Sequence, residues 1–235
     1  MKLTTAQIEQ LYTFTRQHYV EWYDLQTELV DHLAHAIEER WQENPSLSFT
    51  DALKSEFKKF GVFGFMDVVE AKQKFLQKKY NQIVLSHIKT FFTLPKIMLT
   101  SAATGFLFLT LTNIQYSKEM VLLWIGILIV FVFYVLISNR LRRKRHIKEN
   151  QKRWLFDDII HQYGSFAGFI VLPLNIFLQI FNHAELYLGS AFAPSIMSFF
   201  LVLMTIFIYV IFVSIPSRSK EYLLRTYPEY SSLNV

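Results

Sequence analysis

Cysteine is absent from the 235 residues, so no disulfide framework, thiolate metal site or cysteine nucleophile can be built from this chain. Glycine and proline are scarce, at seven and six residues, which excludes fibrous and linker-dominated architectures. There is no Gly-rich phosphate loop, no His-Glu-x-x-His pair and no Gly-x-Ser-x-Gly elbow. An acyltransferase-like His-acid pair inside an apolar run is missing as well, so the sequence points away from an enzyme, and no cofactor is implied. Met1-Lys2-Leu3-Thr4-Thr5-Ala6-Gln7 has no apolar core behind its lysine, so neither a signal peptide nor a lipobox is expected.

The most telling shortage is of charge. Ile97 to Ser117, Met120 to Asn139, Ile159 to Ala184 and Leu186 to Ser217 contain no Asp, Glu, Lys or Arg, over 21, 20, 26 and 32 residues. Each is rich in Phe, Leu, Ile and Val, and each is long enough to cross a hydrocarbon core of about 30 Å as a helix. The expected class is all-α, a small cytoplasmic helical head followed by a four-helix transmembrane bundle. The expected domains are 1–78 (head), 79–95 (amphipathic membrane-surface linker), 96–217 (bundle, with spans near 96–115, 119–139, 165–184 and 192–215) and 218–235 (tail).

Lys and Arg set the orientation. Arg140, Arg142, Arg143, Lys144, Arg145, Lys148, Lys152 and Arg153 follow the second span, Arg218, Lys220 and Arg225 follow the fourth, and the two opposite connections hold Lys118 alone. The positive-inside rule then puts both termini and the central connection in the cytoplasm of a bacterial inner membrane. Arg140, Arg142, Arg143, Lys144 and Arg145 read as a topology signal facing lipid headgroups, with no nucleic-acid partner.

Ahead of the spans, helical signals recur with clear stops. Thr4 or Thr5 can cap a first helix carrying Ile8, Leu11 and Tyr12. A second helix from about Trp22 to Glu43 aligns Leu25, Leu29, Leu33, Ala36, Ile37 and Trp41, and Asn44-Pro45 ends it. Ser48 and Asp51 open a third helix with Leu53, Phe57 and Phe60 inward, and Gly61 stops it. A fourth follows Gly64, with Phe65, Val68, Val69 and Phe75 as its expected inner face. Met1 to Leu53 holds nine acids and three bases, whereas Lys54 to Lys89 holds eight bases and three acids. The basic half leads into the first span, so Lys72, Lys74, Lys78, Lys79 and Lys89 are expected near anionic headgroups.

Tyr23-Asp-Leu-Gln-Thr-Glu-Leu-Val-Asp-His-Leu-Ala-His-Ala-Ile-Glu-Glu, then Ala52-Leu53 to Phe60-Gly61, then Phe65-Met-Asp-Val-Val-Glu, resembles the HAAS helical domain over roughly residues 4 to 78. Such domains precede membrane helices in bacterial proteins associated with PadR-type transcription regulators. The resemblance implies a cytoplasmic regulatory or adaptor module without catalysis. The chain departs from that pattern at Val62-Phe63-Gly64, where the family more often has a polar turn with Pro.

Two polar constellations are candidates for function. Glu28, Asp31, His32, His35, Glu38 and Glu39 lie on the second helix, and at 100° per residue Glu28, His32, His35 and Glu39 share one sector. This group reads as a face that binds a protein partner. His32 and His35 are candidate metal ligands, but the sector spans about 16 Å of axis, so one ion would need ligands from elsewhere, with His18 nearest in sequence. A pH-sensing role for the two histidines is a further alternative. In the third span Asn175, Gln179 and Asn182 form a polar stripe, read either as interhelical hydrogen bonding or as the lining of a small channel or transporter subunit. Ser101 and Gly105 give the first span a close-packing face for a neighbouring helix or a second copy, so a homo-oligomer is an open alternative.

Overall fold

A computed structural model describes residues 2–115, 117–148, 152–162, 175, 192, 194–227 and 229–230. The chain is all-helical, with no strand among the described residues, and it divides into two compact units. The first comprises Met1–Lys78, Gln151–Asp158 and Tyr227–Val235, and the second Lys79–Asn150 and Ile159–Thr226.

In the first unit, α1 (Thr5–Gln17) begins at a reciprocal capping box: the Thr4 hydroxyl accepts from the Gln7 N–H, and the Gln7 side chain accepts from the Thr4 N–H. Tyr19, at φ 65°, turns the chain after it. On α2 (Tyr23–Glu43), Leu25, Leu29, Leu33 and Ile37 are buried at helical spacing, and Trp41 donates from its indole to the Leu47 carbonyl. The Ser48 hydroxyl caps α3 (Phe49–Lys58) by accepting from the Asp51 N–H. Gly61 and Gly64, both at positive φ, carry the chain into α4 (Met66–Thr90). Gly64 has no room for a side chain, because a Cβ there would lie 2.9 Å from the Phe57 ring.

That ring belongs to an aromatic cluster of Phe14, His18, Phe57, Phe60 and Phe65, with centroids 4.1 to 6.2 Å apart along its main contacts. Phe75, expected on the inner face of α4, is instead 63% exposed. Inward positions on α4 follow Val69, Leu76, Tyr80 and Val84, and Phe75 lies about 100° round from Leu76. Glu56 is almost wholly buried yet doubly paired, with Arg40 and Lys59 each at 2.7 Å. Burial pushes its carboxyl up, but the hydrogen bonds and charges of Lys59 and Arg40 outweigh that and hold it below the ordinary glutamate range.

In the second unit, α4 continues without a break through residues 79–90, where a membrane-surface linker is expected. Its inner side packs along a later helix: Lys79 Nζ is 2.9 Å from Thr226 Oγ1, and the Phe91 ring just beyond α4 meets Tyr209. After Pro95 come α5 (Lys96–Asn113), α6 (Ser117–Lys148) and α7 (Leu155–His161), the last contributing its first turn to the first unit. Residues 194–209 form α8, which passes through a π turn (Val210–Ser214) and a 3-10 turn (Pro216–Arg218) into α9 (Ser219–Thr226).

Two helices are long and apolar enough to cross a membrane, Glu119–Arg142 and the continuous Pro194–Thr226. The first has only 11% of its most apolar window buried, with Ile127, Val130, Phe133 and Ile137 facing outward. At 32 residues α6 is about 48 Å long, more than the roughly 30 Å of a hydrocarbon core. With 18 residues α5 reaches about 27 Å, and its four threonines lower its apolarity. Leu111 of α5, Val121 and Ile125 of α6, and Met197 and Leu201 of α8 form one cluster, and Trp124 Nε1 donates to Thr205 Oγ1 at 3.2 Å. The start of α8 therefore lies beside the start of α6 and the end of α5. Most of the third expected span lies outside the described residues.

Candidate functional site

The first turn of α2 is where distant parts of the sequence converge. Trp22 precedes this helix without capping it through its side chain, so its leading N–H groups need partners from elsewhere. The Tyr23 N–H donates to the Arg153 carbonyl at 2.7 Å. The indole of Trp22 donates to Asp158 Oδ2 at 2.8 Å, and the Arg153 guanidinium pairs with Glu21 and, at 2.7 Å, with Asp158. Lys152 places its ammonium 3.9 Å from the centroid of the Tyr23 ring. The segment 152–158 is thereby fixed to α2 by backbone, ionic and aromatic contacts together.

At the centre lies Asp24, 6% exposed. Its Oδ2 accepts from the Tyr227 hydroxyl at 2.6 Å and its Oδ1 from the Leu155 N–H at 3.1 Å. Trp154 covers this pair, with its ring centroid 5.5 Å from Tyr23, 4.9 Å from Tyr227 and 5.2 Å from Tyr230. Burial raises the Asp24 carboxyl above its ordinary range, and the hydrogen bonds from Tyr227 and Leu155 only partly offset this. Burial and the neighbouring Asp24 charge push the Tyr227 phenol far up, so it stays protonated and donates at every physiological pH. The arrangement can hold a proton-sensitive carboxylate in a dry aromatic setting and tie the segment 152–158 and the tail to α2. Nothing in the local sequence marks Asp24, because by periodicity it falls in the same sector as Glu28 and His35. The available signal is aromatic: Trp154 and Phe156 follow directly on a basic run, and Tyr227 and Tyr230 flank a short polar stretch near Arg225.

Comparison of the chain with protein-family models, with curated proteins and with solved structures gives no match.

Further along α2 the acidic and histidine residues divide. Glu28 is ion-paired with Lys72 of α4 at 2.5 Å, and Glu38 accepts from the Leu3 N–H at 2.9 Å, so both serve the internal structure of the head. Lys74 likewise pairs with Glu70 on its own helix. His35 and Glu39 meet at 3.3 Å in solvent, and Asp31 and His32 are also exposed. Among the described residues no group of three or more His, Asp or Glu side chains is placed to hold a metal ion. His18 is engaged otherwise, with its Nδ1 2.8 Å from the Phe14 carbonyl and its ring among Phe14, Phe57 and Phe65.

Arg140, Arg142, Lys144 and Arg145 are exposed on the last turns of α6, whereas the side chain of Arg143 lies outside the described residues. Asn175 is helical and exposed, and Gln179 and Asn182 lie outside the described residues.

Proposed function

We propose that the chain is a four-span protein of the bacterial inner membrane whose cytoplasmic head docks a protein partner, a non-enzymatic regulator or adaptor. The observation that carries this reading is the convergence on the first turn of α2. Residues 1–78, 151–158 and 227–235 belong to one compact unit, so each excursion from that unit, 79–150 and 159–226, returns to it. A returning excursion crosses a bilayer an even number of times. Each contains one of the two helices apolar enough to cross, which calls for a partner crossing in each, for which α5 and the uncharged sequence from Ile159 to Ala184 are the candidates. The cluster joining the starts of α6 and α8 to the end of α5 fits the same up-and-down order.

In this arrangement Asp24 ties α2 to Leu155 and Tyr227 within the head, and the outward part of α2, with Asp31, His32, His35 and Glu39, is left for a partner. The resemblance to the HAAS domain favours a partner that regulates.

Because the chain has no cysteine, single cysteines report topology without a mutated background. A membrane-impermeant maleimide is expected to label Glu119→Cys and Gly189→Cys in intact spheroplasts, and Ser46→Cys and Gln151→Cys only after permeabilisation. Labelling of Gln151→Cys in intact spheroplasts would sink the four-span reading.

The docking face is tested by the double change Asp31→Lys, Glu39→Lys, which spares the internally bonded Glu28 and Glu38. Recovery of a cross-linked cytoplasmic partner from native membranes is expected to fall about tenfold or more, the usual result of setting like charges across an interface. Unchanged recovery, with insertion intact, excludes this face.

A further inference from the structure

We propose that Lys96 and Arg218 bind the phosphate of an anionic phospholipid at the cytoplasmic boundary of the bilayer, on a platform held by His87. The inference rests on the membrane reading above and assigns a ligand to a place it leaves open.

His87, near the end of α4, joins two stretches of the later helix. Its Nε2 is 2.7 Å from the Tyr222 hydroxyl on α9, and its Nδ1 is 3.2 Å from Ser214 Oγ at the end of the π turn. That turn is wide, with the Ile215 N–H donating to the Val210 carbonyl at 3.0 Å, a geometry found mostly where a helix is adapted to a function. Burial, and then the positive charges of Arg218 and Lys96, push the imidazole below its ordinary range. A neutral ring donates through one nitrogen and accepts through the other, which suits a bridge between two hydroxyl groups.

Two cations flank this bridge: Lys96 Nζ stands 3.5 Å from Thr90 Oγ1, whose hydroxyl donates to the His87 carbonyl, and Arg218 falls midway in sequence between Ser214 and Tyr222. Glu221, the nearby acid, is taken by Arg225 at 2.7 Å. Among the described residues no acidic group pairs with Lys96 or Arg218, and Lys96 rests 4.9 Å from the centroid of the Phe91 ring. Leu94, Met98 and Leu99 next to Lys96 in sequence, and Tyr209 and Val213 earlier on the helix that carries Arg218, expose apolar surface. Exposed cations without acids, set where an apolar belt begins, match the chemistry of an anionic lipid: a phosphodiester for the charges and acyl chains for the belt. A soluble phosphate would satisfy the cations but leave the apolar surface uncovered.

The full chain is reconstituted in nanodiscs of phosphatidylcholine containing a minor fraction of phosphatidylglycerol, extracted, and weighed intact by native mass spectrometry. The wild type is expected to retain phosphatidylglycerol selectively. The double variant Lys96→Gln, Arg218→Gln is expected to lose about 30-fold in retention, each interfacial cation contributing about fivefold. Arg218→Lys is expected to keep it. If the double variant loses its helical circular dichroism, the exposed single change Arg218→Gln carries the test with its about fivefold loss. Equal retention of both lipids, or unaltered retention in a folded charge-loss variant, overturns the proposal. Displacement of the lipid by inorganic phosphate overturns it in favour of a soluble anion. A chain that fails to enter the nanodisc defeats the membrane reading itself, whereas one that inserts without selectivity defeats only the lipid site.

Discussion

Replacing Trp154 with alanine is expected to destabilise the first unit by about 3–5 kcal/mol, the range for removing a buried aromatic side chain. The magnitude follows from its position. Trp154 is 5% exposed and packs simultaneously on Tyr23, Tyr227 and Tyr230, so its loss leaves a cavity ringed by aromatic surfaces that cannot all collapse inward. A core of this size is marginal, with domains generally stable by about 5–15 kcal/mol, so this loss is a large part of the total. Thermal unfolding followed by near-ultraviolet circular dichroism should show the fall. Limited tryptic digestion should show faster cleavage at Lys220 and Arg225. A variant that melts like the wild type and keeps its tail protected would show that the aromatic cover contributes little to holding these segments.

The second large effect is at Asp24. Asp24→Ala removes the acceptor for both the Tyr227 hydroxyl and the Leu155 N–H, and leaving buried donors unsatisfied costs about 1–3 kcal/mol each. Asp24→Asn, which keeps a carbonyl oxygen in place, should cost less and separates charge from shape.

The two variants also read the pH dependence. Burial raises the Asp24 carboxyl in the docked state above the ordinary aspartate range. A carboxyl raised on folding contributes stability that is full below the unfolded value and is lost as pH rises through the folded one. Docking of the tail is therefore expected to weaken as pH rises from the ordinary aspartate value through the raised one, an effect absent from Asp24→Asn. Glu56 acts with the opposite sign: its lowered carboxyl supports the head at neutral pH and loses that support on acidification. The informative quantity is thus the difference between wild type and Asp24→Asn in tail protection along a pH series. A wild-type advantage that shrinks on acidification would refute the assignment.

Local signals made much of the head legible. The Thr4 and Ser48 caps, the Asn44-Pro45 stop and the Gly61 turn are short-range chemistry, and α1, α2 and α3 begin and end beside them. Phe75 was misjudged because hydrophobic type outweighed register, and the aromatic core close by already had its rings from Phe57, Phe60 and Phe65. The outward residues Asp31, His32, His35 and Glu39 could be read from periodicity, since one helix face needs only neighbours three and four apart. Asp24 could not. Its partner Tyr227 is 203 positions away and Leu155 is 131 away, and a helical pattern records nothing at that distance. Glu28 and Glu38 resembled their outward neighbours, yet their partners, Lys72 and the Leu3 N–H, come from other segments.

The bond between Tyr227 and Asp24 also sets an order of assembly. The ribosome makes Asp24 203 positions before Tyr227, so the head emerges first and is closed later, after every apolar helix between them has left the exit tunnel. Until then a carboxylate waits with its aromatic lid open and its acceptors wetted. Completion of the head thus marks that the helices between Asp24 and Tyr227 have been made, and a chain that stops short of Tyr227 carries an unfinished head on which proteases can act.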